Sequence, residues 1–197
     1  MPRSLVPGDW KRNGKRRTNA IFTDSSRSEA FCGGVKVQKK TGYRDRVTVR
    51  PARAEDVDYI RSLSRKVFHQ YGPYENMLAR WFESDITVTL LALMGKRPVG
   101  FVLLGRLERK WYPPCVSELL AIAVEPAKWK LGVGDLLMRE VLREAKALNV
   151  ETLVLHTAVE NFSGQKLFEK YGFTPLEVKK NFYPKGQDAL MMYKDIF

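Results

Sequence analysis

Apolar positions along the chain fall into runs of two periods, and the first regular run begins at Val47. Val47-Thr48-Val49-Arg50 alternates as a strand does, and Pro51 ends it. Ala54-Glu55-Asp56 then opens a helix with acids in its first turn, where they complement the helix dipole. Val57, Ile60, Leu63, Ser64 and Val67 recur at three- and four-residue spacing as its buried face, and Gly72-Pro73 breaks it. A second short helix over 74–83 buries Met77, Leu78, Trp81 and Phe82. Residues 86–94 and 98–107 are nearly continuous apolar runs on either side of Gly95-Lys96, an antiparallel hairpin. After a polar loop at 108–114, the strand 116–124 is apolar except for Ser117 and Glu118.

The strongest helical pattern covers 133–148, with Val133, Leu136, Leu137, Val141, Ala145 and Leu148 on one stripe. A branched strand at 152–157 follows. Asn161 then caps a helix whose inner face carries Leu167 and Phe168 and which stops at Gly172. Residues 173–178 and 189–193 are closing strands around the loop 181–188. The element order is β, α, α, β, β, β, α, β, α, β, β. An early hairpin and a late parallel crossover imply one mixed sheet with helices on both faces.

Composition refines this picture. The chain has 197 residues and a net charge of +12. Residues 1–46 hold twelve Lys/Arg against four Asp/Glu, whereas 47–197 hold twenty-two against eighteen. The imbalance is therefore mainly a property of an N-terminal segment without periodicity, read as a basic, disordered extension before a domain at 47–197. Such a segment suits electrostatic contact with nucleic acid, but the plainer expectation is a solvated tail. No apolar run reaches the ~20 residues of a membrane helix, and no signal core is evident. Cys32 and Cys115, far apart, form neither a disulfide framework nor a metal motif, so no metal and a cytoplasmic setting are expected.

Candidate chemistry starts in the stretch 121–137, where an apolar strand runs through a basic turn into a helix at Val133. That order points backbone N–H groups at an anion. Gly132 and Gly134 remove side chains where a phosphate would touch backbone, and Lys128 and Lys130 add charge. No Gly-Lys-Ser/Thr follows, and Leu137 stands where a dinucleotide fold has its third glycine, so two commoner phosphate loops are excluded. A plain strand-to-helix turn remains the alternative for this stretch alone.

Lys128-Trp-Lys-Leu-Gly-Val-Gly134, together with the element order, resembles the GNAT N-acetyltransferase superfamily over most of the domain. The family's turn reads Arg/Gln-x-x-Gly-x-Gly/Ala, and Trp129 stands at its basic or amide position. Asn161-Phe-Ser-Gly-Gln-Lys-Leu-Phe-Glu-Lys-Tyr-Gly-Phe173 is similar to a second family segment, with Phe168 in place of its tyrosine. Asn181-Phe-Tyr-Pro184 and Asp188-Ala-Leu-Met-Met192 are similar to the ending of ribosomal-protein-alanine N-acetyltransferases. The resemblance implies an α/β (α+β) fold: a mostly antiparallel mixed sheet, helices on both faces, and a pyrophosphate-binding turn between the fourth strand and the third helix. It implies acetyl-CoA as co-substrate, held by Ile122, Ala123, Val124, Trp129, Lys130, Leu131, Gly132, Val133, Gly134, Asp135, Asn161, Ser163 and Phe168. It implies acetyl transfer to a primary amine in a ternary complex. A protein or peptide N-terminus is the leading acceptor, with a small-molecule amine or a non-catalytic acyl-CoA-binding module as alternatives, in a monomer or homodimer.

An amine attacking a thioester must lose a proton, so a base is useful. Glu118, an acid in an apolar strand, is the first candidate, and His156, ending Leu153-Val-Leu-His, is the second. The alternatives are an outward edge carboxylate and a structural strand histidine. A proton donor for the departing thiolate is less evident; Tyr183 and Tyr171 carry the nearest candidate hydroxyls. The mouth for the amine is expected from the first two helices, the loop 109–114 and the late loop. Glu75, Glu83, Glu108 and Asp188 are candidates to meet a cation there.

Overall fold

The computed structural model of the chain describes residues 47–105 and 116–196. The expected extension at 1–46, the loop at 109–114 and Glu108 lie outside the described residues. The elements are β1 (Val47–Pro51), α1 (Val57–Phe68), α2 (Tyr74–Glu83), β2 (Thr87–Met94), β3 (Arg97–Gly105), β4 (Val116–Val124), α3 (Val133–Ala147), β5 (Thr152–Ala158), α4 (Phe162–Lys170), β6 (Thr174–Lys179) and β7 (Ala189–Asp195). Their order is the one the periodicity predicts. Single 3-10 turns, Ala54–Asp56 and Pro126–Lys128, lead toward α1 and α3. None of the described helices is long and apolar enough to cross a membrane.

The strands form one sheet in the order β1-β2-β3-β4-β5-β7-β6. Only β4 and β5 run parallel; the other neighbours are antiparallel. Two apolar layers cover it. On one face Val133, Leu137, Met138, Val141 and Ala145 of α3 pack with Leu119, Leu153, Leu155 and Phe168. On the other, Ile60, Leu63 and Leu78 of α1 and α2 pack with Leu91, Phe101, Leu103, Ala121 and Ala123. The stripe on α3 differs from expectation at its end. Met138 is fully buried, while Leu148 is 43% exposed because the helix has stopped at Ala147.

The strand β4 is not the uniformly buried run its composition suggests. Its residues alternate between buried and half-buried along the whole length. Leu104 pairs with Leu119 but Leu103 with Ala121, so Leu120 is an extra residue in a bulge. The bulge exchanges the faces. Leu119 belongs to the α3 layer, whereas Ala121 and Ala123 belong to the α1/α2 layer. Pairing of β4 with β5 runs from Val116–Thr152 to Leu119–Leu155 and stops there. Both strands continue, to Val124 and Ala158, and leave an opening between them. Because they run parallel, α3 and α4 both begin near that opening.

β1 is tied to the start of α1 by Asp56, which is 7% exposed. Its carboxylate accepts Arg50 Nη1 at 2.7 Å, Arg50 Nη2 at 3.0 Å and the Arg53 amide at 2.7 Å. The paired Arg50 guanidinium, working against burial, holds the Asp56 carboxyl below its ordinary value. A depressed folded value means the stabilisation is present above the unfolded value, about 4, and is lost as pH falls through the folded one. Asp56→Asn is expected to lower unfolding free energy by about 2 kcal/mol at pH 7. Urea titrations in steps below pH ~4 should show that gap to wild type narrowing.

Candidate functional site

The turn after β4 is held by its own backbone and by one side chain. Lys130 adopts φ +61° and Gly132, the N-cap of α3, φ +83°. At Gly132 the left-handed conformation explains the glycine, which also brings no side chain across the first helix amides. Trp129 is 57% exposed, and its indole Nε1 donates to the Val124 carbonyl at 2.8 Å. The residue at the family's basic position therefore sews the turn to the strand it leaves. Lys130 and Leu131 are exposed, Ile122 and Val124 half-buried, and the Ala123 and Val133 side chains buried, so the last two offer the opening only backbone. A Cβ on Gly134 would lie 3.4 Å from Leu167 Cδ2, an ordinary contact, so the helix packing itself does not demand glycine here.

Asp135 turns toward α4. Its carboxylate pairs with Lys170 Nζ, and the Tyr171 hydroxyl donates to the Asp135 carbonyl at 2.8 Å. The negative charge in the first turn of α3 is thus countered from the neighbouring helix, and Tyr171 serves the junction of the two helices. Asn161 caps α4: its Oδ1 accepts the Gly164 amide at 3.1 Å and its Nδ2 donates to Thr157 Oγ1 at 3.1 Å. Gln165 Nε2 donates to the carbonyls of Ala158 and Val159, fixing α4 to the end of β5. Ser163 is exposed on the first turn. Phe168 is 5% exposed and packs edge-on to Phe173 at 6.0 Å, so its ring lies in the core.

The two candidate bases meet. His156 Nδ1 lies 2.8 Å from Glu118 Oε1, with side-chain exposures of 10% and 19%. Glu118 pairs in register with Val154, so His156 is two residues further along the neighbouring strand, on the same face. The Phe182 ring stacks on His156 at 4.6 Å and 12°. Beside it, Tyr183 packs against Tyr71 at 5.0 Å and Tyr74 at 6.1 Å. Burial first, then the neighbouring Tyr74, Tyr71, Glu118 and Glu160, raise the Tyr183 phenol well above its ordinary value, so it stays protonated at neutral pH. Burial likewise pushes Tyr74 up to about 12.

The late loop reaches this place because it is strapped to the turn between α1 and α2. Lys185 Nζ donates to the His69 carbonyl at 2.6 Å and Gln187 Nε2 to that of Gln70 at 2.7 Å. A Cβ on Gly72 would stand 2.9 Å from Pro184 Cγ, so glycine permits the contact. The expected acidic candidates are engaged elsewhere: Glu75 with Arg65, Glu83 with Arg61 and Asp188 with Lys180. Pattern reading missed Phe182, Tyr71 and Tyr74. Phe182 and Tyr71 lie in loops and Tyr74 opens α2 outside its buried stripe, so their one signal is aromatic residues beside Gly and Pro.

The mixed sheet thus opens between its two parallel strands, with two helix N-termini beside the gap and a carboxylate–imidazole pair where the pairing ends. The chain belongs to the acetyltransferase (GNAT) family, whose profile matches residues 55–173. It is therefore an N-acetyltransferase in class. An N-alpha-acetyltransferase of Sulfurisphaera tokodaii is 27% identical over 151 residues, covering 73% of this chain and 90% of that protein. The [ribosomal protein bS18]-alanine N-acetyltransferase of Escherichia coli is 31% identical over 79 residues, 39% of this chain and 53% of that one. Its solved counterpart, the ribosomal-protein-S18-alanine N-acetyltransferase of E. coli, superposes with a TM-score of 0.66 at 20% identity over 76% of this chain and 94% of that. A Salmonella typhimurium protein solved with its cofactor acetyl-CoA superposes at 0.67, with 17% identity over 77% of this chain and 95% of that.

Trp129→Phe removes only the indole donor from an exposed ring. It is expected to lower unfolding free energy by about 1 kcal/mol in chemical denaturation, from the unpaired Val124 carbonyl.

Proposed function

We propose that this chain transfers the acetyl group of acetyl-CoA to the α-amine at the N-terminus of a protein or peptide, both substrates being bound together. The observation that carries the reading is the opening between β4 and β5 with the Glu118–His156 pair on its floor. Acetyl-CoA supplies an activated acyl group. Its pyrophosphate fits the glycine turn, where Gly132 and Gly134 leave backbone uncovered and Lys130 adds charge. Its pantetheine arm fits the β4 backbone beyond Leu119, which has no β5 partner, and a backbone N–H within 122–124 is placed to donate to the developing oxyanion. Asn161 and Ser163, on the first turn of α4, flank the other side.

Holding the amine against the thioester supplies much of the rate. The amine must be free of its proton to attack, and the Glu118–His156 pair is the acceptor for it. An α-amine ionises near 8 and a lysine amine near 10.4, so a modest base suffices for the first. Tyr183, kept protonated by burial and packed beside Phe182, is the candidate donor to the departing sulfur. The aromatic wall of Tyr71, Tyr74 and Tyr183 suits the first residue of a chain end. Relatives named for N-alpha and ribosomal-protein-alanine acetylation point the same way.

Purified protein with acetyl-CoA and a panel of peptides and small amines, followed by thiol release, tests this. Peptides with a free N-terminus should react, and the same peptides with a blocked N-terminus should not. Binding of coenzyme A without thiol release from any acceptor would overturn the catalytic reading. Gly132→Val, which forces a branched residue to positive φ, should weaken acetyl-CoA binding at least tenfold by calorimetry while far-ultraviolet circular dichroism is kept.

A further inference from the structure

We infer that Glu118 is a positioning residue and that Nε2 of His156 is the atom that takes the proton from the acceptor amine. The inference rests on the acetyl transfer proposed above and divides the roles within its base.

An ionised carboxylate can only accept a hydrogen bond. The 2.8 Å contact between Glu118 Oε1 and His156 Nδ1 therefore places a proton on Nδ1. In the neutral ring the lone pair then sits on Nε2. That atom is buried and has no hydrogen-bond partner. An orphaned buried acceptor costs free energy in the resting protein, and a bound amine offers the missing donor. Phe182, stacked nearly parallel on the ring at 4.6 Å, opposes a flip that would exchange the two nitrogens. Glu118, by contrast, spends its Oε1 on fixing the ring, the role of a residue that orients the base.

The step balances simply. The substrate ammonium gives one proton to Nε2, and the freed nitrogen lone pair attacks the thioester carbon. The resulting imidazolium is stabilised by the Glu118 carboxylate at its other nitrogen. As the C–S bond breaks, the attacking nitrogen loses its second proton, which replaces the one that Tyr183 or water gives to the sulfur, and His156 returns the first proton to solvent. Tyr183, beside Phe182, feels Tyr71 and Tyr74 from the α1–α2 region, Glu118 itself and Glu160 after β5, and the late loop also carries Asp188. Of these, Asp188 is held by Lys180, and the tyrosines stay protonated through neutral pH.

The test reads the tautomer first. Nitrogen-15 NMR of the full chain labelled at its 2 histidines, with His69→Gln for assignment, reports which nitrogen of His156 carries the proton. Nδ1–H is expected in wild type and in Glu118→Gln, whose amide oxygen still accepts, and reversion toward Nε2–H in Glu118→Ala. In kinetics on a reactive peptide, Glu118→Gln should stay within about tenfold of wild-type kcat, while His156→Asn loses 100-fold or more. The double variant His156→Asn/Glu118→Gln should be no slower than His156→Asn alone. An Nε2–H ring in wild type would overturn the inference. So would a Glu118→Gln variant as slow as Glu118→Ala beside an active His156→Asn. Failure of wild type to acetylate anything would sink the proposed function, and the NMR result would still decide the placement of the proton.

Discussion

Beyond Leu119 and Leu155 the two parallel strands stop exchanging hydrogen bonds, and the active region is arranged around that parting. A sheet interior normally has no room for a ligand, because every backbone group on a central strand is already paired. Here β4 stays fixed to β3 on one side while its other side is released. The bulge at Leu120 accompanies the release and swaps which residues face which helical layer. Parallel pairing has the further effect that both following helices start at the same end, α3 without a side-chain cap and α4 capped by Asn161.

The acceptor side follows from a second constraint, the fastening of the late loop to the α1–α2 turn. The loop 181–188 carries no apolar periodicity and would be mobile on its own. Two side-chain bonds to main-chain carbonyls and the Pro184–Gly72 contact give it one position. That position delivers Phe182 onto His156 and Tyr183 between Tyr71 and Tyr74. The polar face of the site is thereby enclosed by rings, which lowers the local dielectric and strengthens the Glu118–His156 interaction.

Periodicity carried the fold well because most elements bury one face. The order of seven strands and four helices, the Asn161 cap and the Gly172 stop are all legible in local patterns. The candidate bases were legible too, as polar residues in apolar strands. Their pairing was not, since it depends on a register between β4 and β5 that no local pattern encodes. Side-chain direction was the other gap. Phe168, Trp129 and Asp135 sit in family motifs, yet the first turns into the core, the second binds its own strand and the third faces α4. Tyr71 and Tyr74 flank a Gly-Pro break outside either helix's buried stripe, and their contact with Tyr183 shows only once the late loop is folded onto them.

The clasp between Asp135 on α3 and Lys170 and Tyr171 on α4 bears on how the site meets its co-substrate. With Gly134 against Leu167 and Gln165 anchored to the end of β5, the two helix starts are braced to each other and to the sheet. The width of the gap is then a property of the resting protein. The two helix starts therefore keep their spacing as one braced unit. Breaking the clasp would let α4 move away from α3 at the edge of the opening while the strand pairing on either side stayed as it is.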